Sequence, residues 1–328
     1  MTNRMRIPVL LLLAALAVPH GSALAAPRHV IVIAMENKDA EKGSGKNHGY
    51  VYGNTASAPY LNGVLAPRAA RALDFRDELP DLNSEPHYIL MEAGTNRFPD
   101  TSFTCNNDPG ESCRYVFGTP NWTASREHLT AMLEAATPPL TWMTYQQGID
   151  PATTGACPVH SAGHYAAKHN PFVFFADVAG SPPAADNANC IAHTRSLDQF
   201  GADMAAGRLA NYVFVTPDLC NDMHGQEGCE SDAVAEGDGF LATFLPPLID
   251  WAMANDAVVF VVWDEGHKGL TMPFYAAGAG IRAGHASSVP LSHRSVLKTI
   301  ARIFGVPALA AVKDANGLDD LFEPGVLP

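Results

Sequence analysis

The chain is short of positive charge: Lys and Arg number 21 against 34 Asp and Glu, a formal net charge of −13 over 328 residues. A surface this acidic excludes nucleic-acid binding through bulk charge and repels anionic lipid. No Cys-x-x-Cys pair occurs, which removes the usual spacing of a structural zinc site. Beyond the N-terminus no apolar run is long enough to cross a bilayer, so no stable membrane association is expected. Internal repeats and low-complexity linkers are lacking too, which points to one domain rather than an array.

What is present starts with a leader. Arg4 and Arg6 precede an apolar run from about Ile7 to Val18, and Ala23-Leu24-Ala25 offers a small-residue cleavage site. Residues 1–25 therefore read as a signal peptide and 26–328 as the folded domain, exported to the periplasm or the medium. Removing the two arginines takes the formal charge to about −15. A phosphorylated substrate would then need a cation inside its site. The six cysteines fit an oxidising compartment, with the sequence-neighbour pairs 105–113, 157–190 and 220–229 expected.

Along the mature chain, β-branched runs alternate with helical stretches. Arg28–Met35, Ala70–Phe75, Leu140–Tyr145, Tyr212–Thr216 and Ala257–Val262 read as strands, the first and last as strands buried on both faces. Helices are expected over 58–66, 84–93, 125–136, 196–209, from Gly237-Asp238 to about Asn255, and over 294–304, with Asp238 as an N-cap. Phe172–Phe175 should be buried. The alternation predicts a single α/β domain, a mostly parallel central sheet with helices on both faces.

Three strands run straight into polar clusters: Glu36-Asn37, Asn221-Asp222-Met223-His224 and Asp264-Glu265. In open parallel sheets ligands bind beyond the carboxyl ends of strands, so these clusters should share a crevice. Glu36, Asn37, Asp264 and Glu265 form an oxygen-rich set suited to a hard divalent cation of unspecified identity. Ser84 follows a strand as well and sits where a helix N-cap belongs, with Pro86 in the first turn. A plain helix cap and solvated acidic turns would explain each feature singly; their joint position beyond strand ends favours a site. There Ser84 would be the nucleophile, and His169 and His224 would donate to phosphate oxygens or protonate the leaving group.

In order, the chain carries Val-Ile-Ala-Met-Glu-Asn, Ser-Glu-Pro-His-Tyr, Tyr-Ala-Ala-Lys-His-Asn-Pro-Phe, Asn-Asp-Met-His, Gly-Asp-Gly-Phe-Leu, Val-Val-Trp-Asp-Glu-Gly and Ser-His-Arg-Ser. Together these resemble the bacterial phosphoesterase family of secreted acid phosphatases and phospholipase C enzymes. The resemblance implies an alkaline-phosphatase-like fold, a metal held by Glu36, Asn37, Asp264 and Glu265, a nucleophile at Ser84, and His169 and His224 lining the site. Asn221, Asp222 and His87 are expected to touch the substrate. Three departures stand out: Leu82-Asn83 before Ser84 with His87 where the family commonly has Asn, Gly225 where an Asp commonly follows the Met-His, and Arg294 where a Tyr follows the Ser-His. The expected activity is hydrolysis of a small phosphorylated substrate, as a phosphomonoesterase rather than a phospholipase C-type diesterase, because no lipid-binding extension follows the last helix. A non-catalytic secreted protein that grips a phosphorylated ligand or a metal is the reading from another class.

Overall fold

The computed structural model describes residues 26–43, 49–112, 120–267 and 270–328. The expected signal peptide, and Cys113 of the expected 105–113 pair, lie outside the described residues.

In chain order the elements are β1 (His29–Met35), β2 (Ala70–Ala72), β3 (Phe75–Arg76), α1 (Ser84–Ala93), α2 (Leu129–Glu134), β4 (Trp142–Gln146), α3 (Ala176–Ala179), α4 (Ala188–His193), β5 (Thr194–Ser196), α5 (Phe200–Ala205), β6 (Tyr212–Thr216), α6 (Ala233–Ala254), β7 (Ala257–Trp263), β8 (Thr271–Met272), β9 (Phe274–Gly278), β10 (Ala286–Ser287) and α7 (His293–Phe304). Among the described residues the main sheet has eight strands in the order β10-β2-β9-β7-β1-β6-β4-β5. β7, β1, β6, β4 and β5 run parallel, while β9 pairs antiparallel with both β7 and β2. The sheet is thus mixed and mostly parallel, in an α/β fold. β3 and β8 form a separate two-stranded sheet.

Every residue of β6 and β7 is buried, so both faces of the central sheet are covered. α6 packs on β7 and β9, while α1, α2 and α7 pack against one another. Tyr88 of α1 meets Phe214 of β6 edge-on, and Phe172 fills the same space from the buried aromatic run. Disulfides Cys157–Cys190 and Cys220–Cys229 staple the loops around the carboxyl ends of β4 and β6 as expected. No helix among the described residues is long and apolar enough to cross a membrane.

Several expectations are corrected. The helix expected over 125–136 begins only at Leu129, because Thr123 Oγ1 and the Ala124 N–H are tied to the Asp100 carboxylate and hold the preceding chain as a loop. In the segment 196–209 Ser196 finishes β5, Leu197–Gln199 and Phe200–Ala205 are helical, and the last four residues are not. Asp238 is not an N-cap of its own helix. α6 begins four residues before Gly237, capped by the Asp232 carboxylate, which accepts from the Ala235 N–H at 3.1 Å. From mid-helix Asp238 reaches across to accept from the Tyr60 and Leu61 N–H groups, each at 2.9 Å, and so serves the start of the short helix over Leu61–Leu65. The interior strand β9 and the edge strand β10 show no strong alternation in sequence and are not among the strands expected above.

Candidate active site

β1, β6 and β7 are adjacent and parallel, so the residues following them emerge at one edge. The loops are locked to one another by main chain: the Glu36 N–H donates to Asp222 O at 2.8 Å and the Asp264 N–H to Met35 O at 2.9 Å. Two non-glycine residues here have left-handed backbone, Asn37 at φ 51° and Met223 at φ 79°. Such conformations persist only where the surroundings enforce them. Gly237 supplies part of that enforcement. A Cβ there would lie 2.3 Å from Met223 Cγ and 3.0 Å from Asn221 O, so only glycine lets α6 seat this loop.

Ser84 is the first residue of α1, one place inside the cap position expected for it; Asn83 is the cap. Its Oγ donates to Glu36 Oε2 at 3.1 Å, and Asn37 Nδ2 donates to the same oxygen at 2.9 Å. The Asn37 N–H donates to Asp264 Oδ1 at 2.9 Å. On the other side of Glu36, His169 Nε2 lies 3.4 Å from Oε1, and His169 Nδ1 lies 3.8 Å from Asp222 Oδ2. The His169 ring stacks on Tyr88, one turn along α1 from Ser84, with centroids 4.9 Å apart and planes 4° from parallel. The structure therefore brings Ser84, Glu36, Asn37, Asp264, Asp222 and His169 into one buried cluster.

Within this cluster, Glu36 Oε1, Asn37 Oδ1, Asp222 Oδ2, Asp264 Oδ2 and His169 Nε2 are buried and have no hydrogen-bond partner among the described residues. Buried polar atoms of native proteins are nearly always satisfied, so this concentration needs an explanation. Three carboxylates, an amide oxygen and an imidazole nitrogen are a donor set that fits a divalent cation. The tightest triplet is Glu36, His169 and Asp222, whose ligand atoms all lie within 4.8 Å of one another. This redistributes the expected roles. Asp222, expected to touch substrate, and His169, expected in catalysis, stand among the candidate ligands. Glu265, expected as a ligand, turns toward His87, with Oε2 3.5 Å from Nδ1.

The electrostatics agree. Burial first, then the charges of Asp264, Asp222 and Glu265, raise the Glu36 carboxyl well above its usual range. Burial likewise raises Asp222, and raises Asp264 against the opposing pull of His87. Glu265 is pushed up to about 8 by burial and by Asp264. Burial drives the His169 imidazole well down, with Lys168 and His224 adding repulsion, so it is neutral, as a ligand must be.

His87 is fully buried, and both its nitrogens are engaged: Nε2–H donates to Asp77 Oδ1 at 2.9 Å and Nδ1–H to Asn83 O at 2.8 Å. In this arrangement both nitrogens serve the protein, where a contact with substrate is expected from the sequence. Burial opposes charge on this ring, yet Asp77, with Asp264 and Glu265 behind it, raises it to about 9. His224 is exposed, 6.1 Å from the His169 ring between centroids, and its Nδ1 donates to Gly225 O. Asn221 is half-buried, with its N–H donated to Asp218 Oδ1 and its carbonyl against Gly237, so its backbone shapes the loop.

Lys38 was missed. Its ammonium is buried and donates to Asn37 O at 3.1 Å, amid the field of Asp222, Glu36 and Asp264. A lysine two residues beyond a buried strand's end, next to Glu-Asn, was the available signal. Asp77 was missed because nothing near it in sequence marks it as the partner of His87.

A model of the Phosphoesterase family matches residues 82–307, well over half of the chain. The chain belongs to the phosphoesterase family. It is a phosphoric ester hydrolase, and the serine helix, the Asn-Asp-Met-His loop and Asp264 all fall inside the matched span. The phosphoesterase is 29% identical over 304 residues to a phosphatidylinositol-3-phosphatase of Mycobacterium tuberculosis, covering 92% of this chain and 85% of that protein. It is 25% identical over 181 residues to an acid phosphatase of Aspergillus niger, covering 52% of this chain and 40% of the relative. In fold it is similar to a solved protein of the alkaline phosphatase superfamily from Vibrio parahaemolyticus, with a TM-score of 0.50 at 13% identity over 91% of this chain and 72% of that one. A putative sulfatase from Bacteroides thetaiotaomicron is similar at a TM-score of 0.51 and 12% identity, covering 90% and 74%. These likenesses show that the phosphoesterase has the alkaline-phosphatase-like fold.

Proposed function

We propose that this phosphoesterase is an exported, metal-dependent phosphomonoesterase of acid-phosphatase type that works through a phosphoserine at Ser84. One observation carries the reading: the Ser84 hydroxyl, at the N-terminus of α1, donates to Glu36 Oε2 at the edge of a cluster of unpartnered buried ligand atoms. Glu36, Asp222, Asp264, Asn37 and His169 would hold a divalent cation. When bound, that cation supplies positive charge opposite the transferring phosphoryl group and makes Ser84 easier to ionise.

The chain's own residues do the rest. Ser84 Oγ attacks phosphorus as its proton leaves toward Glu36, and the bond from phosphorus to the leaving oxygen breaks in line. His224 in its imidazolium form, with Nδ1–H on Gly225 O, gives its Nε2 proton to the departing alkoxide. Water then attacks the phosphoserine with His224 as base, releasing phosphate and restoring Ser84. Stacking on Tyr88 fixes His169 in place, and the main-chain ties among the three loops keep the acidic cluster from spreading. Relatives named as an acid phosphatase and a phosphatidylinositol-3-phosphatase both support monoester hydrolysis. Two disulfides fit an exported, oxidising setting. Residues 26–328 would form one catalytic domain.

The test is an assay of the purified protein on phenyl phosphate with and without chelator, with acid quenching and mass analysis of the peptide carrying Ser84. Turnover that chelator abolishes, with phosphate trapped on Ser84, is the expected result. No turnover in the presence of Mg²⁺, Ca²⁺, Mn²⁺ and Zn²⁺ overturns the reading.

A further inference from the structure

An open cavity of about 440 Å³ is lined by residues of the loops that carry the candidate site, most of them polar, among them Asn106, Asn107, Asp108, Ser161, Lys168 and Gln226. Each wall is continuous with a residue already described. Asn106 Oδ1 accepts from the N–H of Glu85, the residue next to Ser84, at 3.3 Å. Lys168 immediately precedes His169. Gln226 follows the Asn221–His224 loop by two residues and ties it to the opposite wall, donating from Nε2 to Gly163 O at 3.2 Å. The wall is built rather than loose: the Asp108 carboxylate accepts from both the Ser161 N–H and Oγ–H, at 2.7 and 2.6 Å, and the buried Glu85 carboxylate accepts from the Asn107 N–H at 2.7 Å.

Lys168 is the cation among the described lining residues. It is half-buried, and its positive charge acts on Glu85, Glu265, His169 and His224. The apolar cavities lie elsewhere. One is lined by Met132, Leu140 and Phe304, the other by Phe200, Phe240 and Phe244, and neither includes a residue of the site. Neither of these two cavities therefore offers an apolar wall to a leaving group at Ser84.

We propose that this cavity is the leaving-group subsite and that it takes a hydroxyl-rich alcohol, which makes the substrate a sugar- or polyol-phosphate monoester. The inference rests on the monoesterase reading above. The cavity volume is within the range of small-ligand pockets, and amide, hydroxyl and carboxylate groups on fixed loops match a ring or chain of hydroxyls. Lys168 stands where it can offset charge on the phosphoryl group as the alcohol departs.

The experiment compares kcat/KM for glucose 6-phosphate and inositol 3-phosphate with that for phenyl phosphate, in the wild type and in two variants of the cavity wall. Gln226→Leu removes a polar wall group, and Ala162→Phe fills space without removing a side-chain hydrogen bond. Either variant is expected to lower the polyol-to-phenyl ratio about fivefold to tenfold, the scale of one or two lost hydrogen bonds or an occluded hydroxyl. Phosphatidylinositol 3-phosphate in phosphatidylcholine vesicles forms a further arm, since a lipid head group and a free polyol present the same hydroxyls; a Gln226-dependent preference for either over phenyl phosphate supports the subsite. A ratio within about twofold of wild type in both variants overturns it, at the resolution such differences allow. In that event Ser84-dependent turnover of phenyl phosphate still upholds the monoesterase reading. Absence of turnover of every ester by the wild type removes both.

Discussion

Adding a divalent cation to chelator-stripped protein should raise its unfolding temperature, and the structure sets the scale. Glu36, Asp222 and Asp264 are fully buried, each with an unpartnered oxygen, and burial holds all three carboxyls above their usual range. Without a cation the folded state must either keep protons on these groups or bear their mutual repulsion. The unfolded chain has neither cost. A cation that binds only the folded form stabilises it by about 4 kcal/mol at a free concentration roughly a thousandfold above Kd. For a chain of about 300 residues, an unfolding entropy of about 2 cal/mol/K per residue turns this into a rise of about 7 °C. The assay is calorimetric or fluorescence-monitored melting with Mg²⁺, Ca²⁺, Mn²⁺ and Zn²⁺ added one at a time. Glu36→Gln keeps the shape of the side chain but removes its charge, and it should cancel most of the rise. Melting temperatures that move by less than about 1 °C with every cation would refute the reasoning, because no ligand would then be relieving the cluster.

Ser84→Ala should lower kcat about a thousandfold or more with the fold intact by circular dichroism, and a loss smaller than about tenfold would remove Ser84 as the nucleophile. His87→Leu should cost on the order of 3 kcal/mol in urea unfolding, since it strands the Asp77 carboxylate and the Asn83 carbonyl; a change confined to KM would instead return His87 to substrate contact. His128 is buried, with Nδ1–H on Glu92 Oε1 at 3.0 Å and Nε2–H near both Asp177 oxygens, and although burial opposes its charge the two carboxylates raise it from 6.5 to about 9. That shift contributes on the order of 3 kcal/mol of stability, fully present below pH 6.5 and lost as pH rises through about 9. Urea midpoints of the wild type should fall over that window, and those of His128→Leu should be nearly flat across it.

The parallel core was legible because its strands carry their burial in composition: the β-branched runs that became β1, β6 and β7 admit hardly any other conformation. Their polar endings were legible for the same reason, since the residue at which a buried run stops is visible in the chain. The division of labour among those endings was not. Which oxygen of Glu36 meets Ser84 and which meets His169 is set in three dimensions, beside left-handed backbone at Asn37, and Asp222 lies next to a second such residue, Met223. Asparagine tolerates such a conformation at modest cost, but nothing in a methionine announces it. Asp238 misled for a related reason. Between two glycines it has the local signature of a cap, and it does cap a helix start, though one remote in sequence and brought beside it by α6. Local pattern identified the chemistry of the group and not its partner.

Two of the three departures from the family pattern, His87 and Arg294, meet on one loop. His87 bonds Asp77, and Arg294 Nη1 donates to Glu78 Oε1 at 3.0 Å, so neighbouring acids of the segment leading into Ser84 are each held by a cation. Arg294 Nε also donates to Gly94 O at 2.7 Å, where α1 ends in left-handed backbone. Near that end, Glu92 accepts from the Thr130 N–H and hydroxyl, each at 2.8 Å, and pairs with His128. α1 is therefore fixed at both ends by buried or half-buried charge, with the proposed nucleophile on its first residue. For in-line attack the hydroxyl must be held to a fraction of an ångström, and a helix of only three turns cannot supply that by itself. The charges that stand where the family pattern has Asn and Tyr are thus scaffolding for Ser84. Substrate choice is left to the polar cavity beside it, whose walls these two residues do not touch.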